Sequence, residues 1–196
     1  MNTFIYIIKG GSYTIRKKDE TLCATLLNDA RFLADTQGID AVNIRSLAQR
    51  AQVATGTVYN YFSSKNEILL ALTDEYWAAT LHEMETAVPA GPFCDQLQQI
   101  FAFLRSGIDC WAGKLMCSLG RGEPEGQQHM ASAQASLEDA LLRRLEQDPA
   151  IRPGVWAEGF TKKEFAHFLV LHMTLLLRNK APDIHFLIAL VRRTIY

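Results

Sequence analysis

The chain lacks most of the signatures that would mark an enzyme, a disulfide scaffold or a membrane protein. Its four cysteines (Cys23, Cys94, Cys110 and Cys117) have no CxxC spacing and no signal peptide ahead of them. Reduced thiols in a soluble cytoplasmic protein are therefore expected. The longest apolar stretch, residues 165–177, contains two histidines and a threonine and falls short of a membrane span. There is no GxSxG, no P-loop, no GxGxxG and no evident Ser-His-Asp order. Gly120-x-Gly122 has too few glycines, and no strand before it, to cradle a phosphate. Proline is scarce, and no internal repeat or low-complexity tract is visible. Charge of one sign is missing as well. The net charge is −1, with seven basic against six acidic residues over 16–70 and twelve against fifteen over 71–196. That balance excludes a basic coat for non-specific nucleic-acid binding, and it fits a reader that places a few charges well. No catalysis and no cofactor are implied. At 196 residues and 48% apolar, the chain can bury a substantial core as one large or two small domains.

What is present is concentrated in residues 43–62, NIRSLAQRAQVATGTVYNYF, and the SSKNEILLAL that follows. Ile44, Leu47, Ala48 and Ala51 recur at i, i+3, i+4 and i+7, one apolar stripe of a short helix. Gln52, Val53 and Ala54 break the stripe, and Val58 and Phe62 resume it on a second short helix. Thr57 and Asn60 share one outward face with Gly56 beside them, and Thr55 and Tyr59 share the next. Two short helices joined by a tight turn, the second offering hydroxyls, an amide and a phenol, predict a helix-turn-helix reader of DNA.

These residues closely resemble the DNA-binding motif of the tetracycline-repressor (TetR) family of transcription factors. The most diagnostic part is the run Gly56-Thr57-Val58-Tyr59-Asn60-Tyr61-Phe62-Ser63-Ser64-Lys65. Two positions depart from the family pattern. Gln52 stands where glycine is usual, in a turn that favours positive φ, which costs a side-chain residue about 1 kcal/mol. Ala54 stands where a capping serine is usual, a loss of about 0.5–2 kcal/mol. The resemblance implies that Tyr59 and Lys65 hold backbone phosphates, Lys65 from the first turn of the next helix. Thr55, Gly56, Thr57 and Asn60 then face the bases, Tyr61 belongs to the same set, and Arg45 can reach a guanine edge bidentately. Double-stranded DNA with a palindromic site is the implied partner.

The rest of the chain reads as helices, so the expected fold is all-α: a three-helix DNA-binding domain over residues 19–65 and a helical effector-binding and dimerisation domain over 66–196. Leu22, Leu26, Ala30, Leu33 and Ala34 line a first helix that ends at Gly38, with Phe32 positioned to fill the volume left by Ala34, where the family commonly has Phe. Ser64-x-x-Glu67 is a capping box opening a long helix to about Ala87. Pro89-Ala90-Gly91-Pro92 ends it and reads as a domain boundary. Residues 94–119 read as one or two helices and 120–126 as a loop. An amphipathic helix spans 127–147, Thr161-x-x-Glu164 caps the next, and Asp183 caps the last. Residues 1–18 form an extension with a short β-prone segment, a Gly-Gly turn and a basic end at Arg16-Lys17-Lys18. It is either incidental or a basic arm that reaches DNA.

The last two helices are apolar on nearly every side and must be covered twice over. A second subunit or the chain's own core can supply that cover, and the resemblance favours the subunit, because TetR-like proteins pair through their C-terminal helices. Phe168, Leu169, His172, Leu176, Leu187, Leu190 and Val191 are the expected homodimer contacts. A small-molecule effector of largely apolar character is expected among the middle helices. Trp77, Phe101, Trp111, Met116, Cys117 and Trp156 are the candidate lining, with Phe103, Cys110 and His129 as further candidates. Aromatics at helical spacing also read as plain core. His167 and His172, five apart, suit joint metal ligation poorly, so no metal is expected. An all-α carrier of hydrophobic ligands without DNA activity is the alternative, and it leaves the polar set around Tyr59 unexplained.

Overall fold

A computed structural model describes residues 8–9, 12–13, 19–107 and 124–196. The chain divides into two compact units, residues 1–72 and 73–196. The division falls inside a helix rather than at Pro89-Ala90-Gly91-Pro92.

In the first unit, two-residue strands β1 (Ile8–Lys9) and β2 (Ser12–Tyr13) pair antiparallel, Ile8 opposite Tyr13. Helix α1 (Glu20–Gln37) is capped by Asp19, whose carboxylate accepts from the amides of Thr21 at 2.9 Å and Leu22 at 3.3 Å. Leu26, Ala30, Leu33 and Ala34 are buried along its inner face, as the stripe predicts, and Leu22 is half-buried. Gly38 ends the helix at φ 87°, a conformation glycine adopts without steric cost. A 3₁₀ turn (Ile39–Ala41) leads to α2 (Ile44–Arg50). Asn43 caps α2 through the amides of Arg45 and Ser46, each at 3.0 Å, and the Ser46 hydroxyl returns to the Asn43 amide at 3.1 Å. This Asn-x-x-Ser form of the capping box is visible in the sequence but lies outside the usual Glu/Gln pattern.

Phe32 does not fill the space beside Ala34. It stays 44% exposed, with the Arg50 guanidinium 3.5 Å above its ring and Arg50 paired to Asp29 at 2.8 Å. Phe32 therefore fastens α2 onto α1 from outside, through a cation–π contact.

Helix α3 (Thr55–Tyr59) is followed by α4 (Lys65–Ala87), which runs from the first unit into the second. Ser64 Oγ accepts from the Glu67 amide at 3.2 Å, while the Glu67 carboxylate takes the Ser63 amide at 2.5 Å. The capping box thus closes one residue earlier than its spacing predicts.

The second unit holds the remainder of α4, then α5 (Phe93–Ser106), α6 (Pro124–Gln147), a 3₁₀ turn (Pro153–Val155), α7 (Lys162–Arg178) and α8 (His185–Ile195). Helix α6 begins at Pro124 rather than at 127, because proline at the first helical position gives up only an amide that has no partner within the helix. The reciprocal Thr161–Glu164 box is complete, and Asp183 accepts from the His185 amide at 3.1 Å. One core cluster joins α4, α5, α6, α7 and α8 around Phe93, Leu97, Ile100, Leu141, Leu169 and Met173.

Two buried charges stitch the α4–α5 turn into this unit. Arg144 donates to the Val88 carbonyl at 3.2 Å, to Glu85 at 2.8 Å and to Gln96. Asp148 accepts from the Phe93 amide at 2.7 Å, the Ala150 amide at 2.9 Å and the Tyr196 hydroxyl. The Phe93 bond supplies the cap that Pro92 cannot provide. The proline-rich turn is therefore held within one unit and marks no boundary.

Candidate nucleic-acid interface

The turn between α2 and α3 is a Schellman motif built on a residue with a side chain. Gln52 adopts φ 55°, its amide reaches the Gln49 carbonyl at 3.3 Å, and the Val53 amide reaches the Ala48 carbonyl at 3.0 Å. This is the positive φ predicted at the position where glycine is usual. At the start of α3, Ala54 makes no side-chain cap, again as its side chain dictates.

Helix α3 has a single inward anchor. Val58 is fully buried, and Phe62 just beyond is nearly so. Thr55, Gly56, Tyr59 and Asn60 are exposed and Thr57 is half-buried, so the expected base-facing set shares the outer side of one short helix. Tyr59 is 58% exposed, a large phenol with no apolar reason to be outside. A Cβ added at Gly56 would meet nothing within 4 Å, so packing inside the protein does not require glycine there.

Lys65 opens α4. Its Nζ lies 3.5 Å from the Asp40 carbonyl oxygen and 3.7 Å from the Asp40 carboxylate. Arg45 is exposed in the first turn of α2. Tyr61 is placed differently from the others. It is half-buried, and its hydroxyl accepts from the Asp19 amide at 3.2 Å, which ties the end of the reader to the start of α1.

The structure sorts the C-terminal apolar residues into two groups. Leu169 and Val191 are fully buried and Leu187 nearly so, all within the chain's own core cluster. These three are corrected from contact residues to core, because the inner side of each helix is covered by its own chain. Phe168 and Leu176 are half-buried, while His172 and Leu190 face outward. Leu171, Leu175 and Phe186 are exposed with them, Phe186 at 84%. These three belong to the apolar set of the last two helices but not to the expected contacts named above, although Phe168, Leu171 and Leu175 stand at helical spacing.

Of the expected pocket residues, Trp111, Met116 and Cys117 lie outside the described residues. Phe101 is 3% exposed and belongs to the core cluster, a correction of its assignment as pocket lining. Trp77 is half-buried, its indole N–H donating to the Ala133 carbonyl at 2.9 Å. Trp156 is half-buried and stacks on Phe160 with ring centroids 5.6 Å apart. A cleft of about 190 Å³ is lined by Glu85, Gln96, Arg143 and Arg144 among others, and by none of these aromatics. Burial pushes the Cys94 thiol up against the opposing hydrogen bond and charge of Arg192, which disfavours a reactive thiolate. No described helix is long and apolar enough to cross a membrane.

Comparison with known proteins agrees with this geometry. Residues 26–72 match the family model described as bacterial regulatory proteins, tetR family. The HTH-type transcriptional repressor KstR of Rhodococcus jostii (strain RHA1) is 44% identical over 52 residues, 26% of this chain and 24% of KstR. The match spans about a quarter of that relative's length. Among solved structures, RolR without ligand superposes with a TM-score of 0.63 at 15% identity, covering 88% of this chain and 89% of RolR. A TetR/AcrR-family transcriptional regulator from Thermobifida fusca YX-ER1 gives 0.57 at 15% identity, covering 85% and 88%. These two establish likeness of fold.

Proposed function

We propose that this chain, which carries the DNA-reading head of the TetR family of bacterial regulators, is a sequence-specific transcriptional regulator that a small, largely apolar ligand releases from DNA. It acts in the cytoplasm as a homodimeric repressor and performs no catalysis. The observation that carries this reading is the outer face of α3, where Thr55, Gly56, Tyr59 and Asn60 stand exposed above the buried Val58. A hydrophobic-ligand carrier without DNA activity has no use for that face.

In this mechanism Tyr59 and Lys65 hold phosphates and set the register of the head on the duplex. Thr55, Thr57 and Asn60 read base edges in the major groove, and Arg45 adds a bidentate contact to a guanine. Gly56 lets the duplex approach the helix backbone closely, which is consistent with the open space around its Cα. A palindromic operator needs two heads about 34–36 Å apart, or a multiple of that. Leu171, Leu175, Phe186 and Leu190 support the dimer, since all four are large, apolar and exposed on the last two helices. Helix α4 is the covalent route from the head to the second unit, where Trp77 and Trp156 pack half-buried against the core. A ligand that prefers one arrangement of that unit lowers DNA affinity by no more than its differential affinity.

Selection from a random DNA library tests this reading. An inverted-repeat motif should emerge, and a pool with no enriched sequence would reject it. A thermal-shift screen, followed by DNA titration with each hit, then finds the effector as a compound that raises the melting temperature and weakens DNA binding together.

A further inference from the structure

Asp40 has no part in the reading head as described so far, yet it is the acidic group that meets Lys65. It occupies the 3₁₀ turn between α1 and α2, and its side chain is fully exposed. Two of its oxygens face the lysine. The main-chain carbonyl lies 3.5 Å from Nζ and the carboxylate 3.7 Å from it. The carbonyl remains whatever side chain stands at position 40, so the carboxylate is not needed to position the ammonium. What it adds is a negative charge beside a cation that serves phosphate.

We propose that Asp40 is an electrostatic brake on DNA binding, which holds Lys65 in the free protein and opposes the phosphate that takes its place. The inference rests on the phosphate role of Lys65 given above. Because phosphate contacts carry no sequence information, the brake acts on operator and bulk DNA alike. An exposed ion pair of this kind has a small effect, so its removal should tighten binding by about two- to fivefold.

The experiment uses the full chain and a short random-sequence DNA duplex, so that no operator need be known. Fluorescence anisotropy gives the dissociation constant over a range of salt. Asp40→Asn should bind that duplex about two- to fivefold more tightly than the parent, and Asp40→Glu should restore the parent value. In a Lys65→Ala background the same Asp40→Asn change should give no gain. An Asp40→Asn protein that binds no better, or worse, overturns the brake. A gain that persists without Lys65 overturns the route, because Asp40 would then repel DNA directly. A parent chain that binds no duplex at any salt overturns both this inference and the DNA-binding reading beneath it. That result is distinct from a parent that binds while Asp40→Asn changes nothing.

Discussion

The reading unit and the second unit are both helical, but they expose side chains for different reasons. Helix α3 is a single short turn-and-a-half with one anchor, Val58, so nearly everything else on it faces outward. Exposure and the proposed function coincide there. Helices α7 and α8 carry apolar residues on nearly every side, and their inner sides, with Leu169, Val170, Met173 and Val191, belong to the chain's own core. Only the outer sides, with Leu171, Leu175, Phe186 and Leu190, remain for a partner. A short anchored helix discloses its working face, whereas a long helix that is apolar all round does not say which side is already covered.

The largest expected effect tests that sorting directly. Leu169→Glu places a carboxylate at a fully buried position and should unfold the second unit, since an isolated buried charge costs well over the roughly 4–5 kcal/mol that marks an exceptional substitution. Phe186→Glu should leave the fold intact and yield monomers. Circular dichroism and light scattering on the two proteins read these outcomes separately. If Phe186→Glu stayed dimeric, the exposed side of α8 would not be the interface.

Acid and alkali should next expose the buried stitching that, among the described residues, belongs to the second unit. Burial alone would raise the Asp148 carboxyl, but hydrogen bonds from Phe93, Tyr196 and Ala150 outweigh it and hold the group below its ordinary 3.8. The folded value is the lower one. The stabilisation is therefore complete above the unfolded value and is lost as pH falls through the folded one. Tyr196 has the opposite sign. Burial, followed by its hydrogen bond to Asp148, raises it above its ordinary 10.0, so its contribution is complete below that value and fades as pH rises through the folded one. Urea midpoints across the pH range should fall at both ends, and Tyr196→Phe should flatten the alkaline fall and weaken the acid one. An unchanged alkaline limb in Tyr196→Phe would remove this residue from the account.

How much of this was legible in the sequence follows the same division. The stripe at Ile44, Leu47 and Ala48, the anchor at Val58 and the positive φ at Gln52 are all set by neighbours within a few positions, and each was readable. The Tyr61–Asp19 contact joins residues 42 apart, and no local pattern announces it. Arg144 and Asp148 reach the α4–α5 turn from more than 50 positions away, which is why Pro89 to Pro92 looked like a boundary. Phe101 belongs to α5, whose inner face is core, and an aromatic at helical spacing looks the same in core and in pocket.

Within the reading unit, substitutions should separate contacts that position from contacts that specify. Asn60→Ala should relax preference at one base position in each half-site, at a cost of about 1–3 kcal/mol on the preferred base. Lys65→Ala should weaken all sequences about equally and lower the salt slope by about one unit. Gly56→Ala should leave thermal stability unchanged or slightly raised, because the added methyl meets nothing, while it weakens operator binding. Should Gly56→Ala bind its operator normally, close approach of DNA at that residue would be wrong.

The smallest effect asks whether the two units tolerate the same backbone strain. Each holds a non-glycine residue at positive φ in a Schellman turn, Gln52 at 55° and Lys180 at 52°. The second turn is built like the first, with the Lys180 amide on the Leu177 carbonyl at 3.0 Å and the Ala181 amide on the Leu176 carbonyl at 2.9 Å. Relief of the left-handed conformation is worth about 1–2 kcal/mol, while glycine gives back roughly 0.4–1 kcal/mol by loosening the unfolded chain. Gln52→Gly should therefore stabilise by up to about 1.5 kcal/mol, a rise of up to about 3–6 °C in Tm for a chain of this size. Lys180→Gly should gain by the same relief of backbone strain. Gln52 lies outside the base-facing set, so its replacement should leave the selected DNA motif unchanged. Differential scanning calorimetry reads both shifts. A lower Tm for Gln52→Gly would mean that the glutamine side chain contributes more than its backbone costs, and that the turn is adapted to glutamine rather than merely tolerant of it.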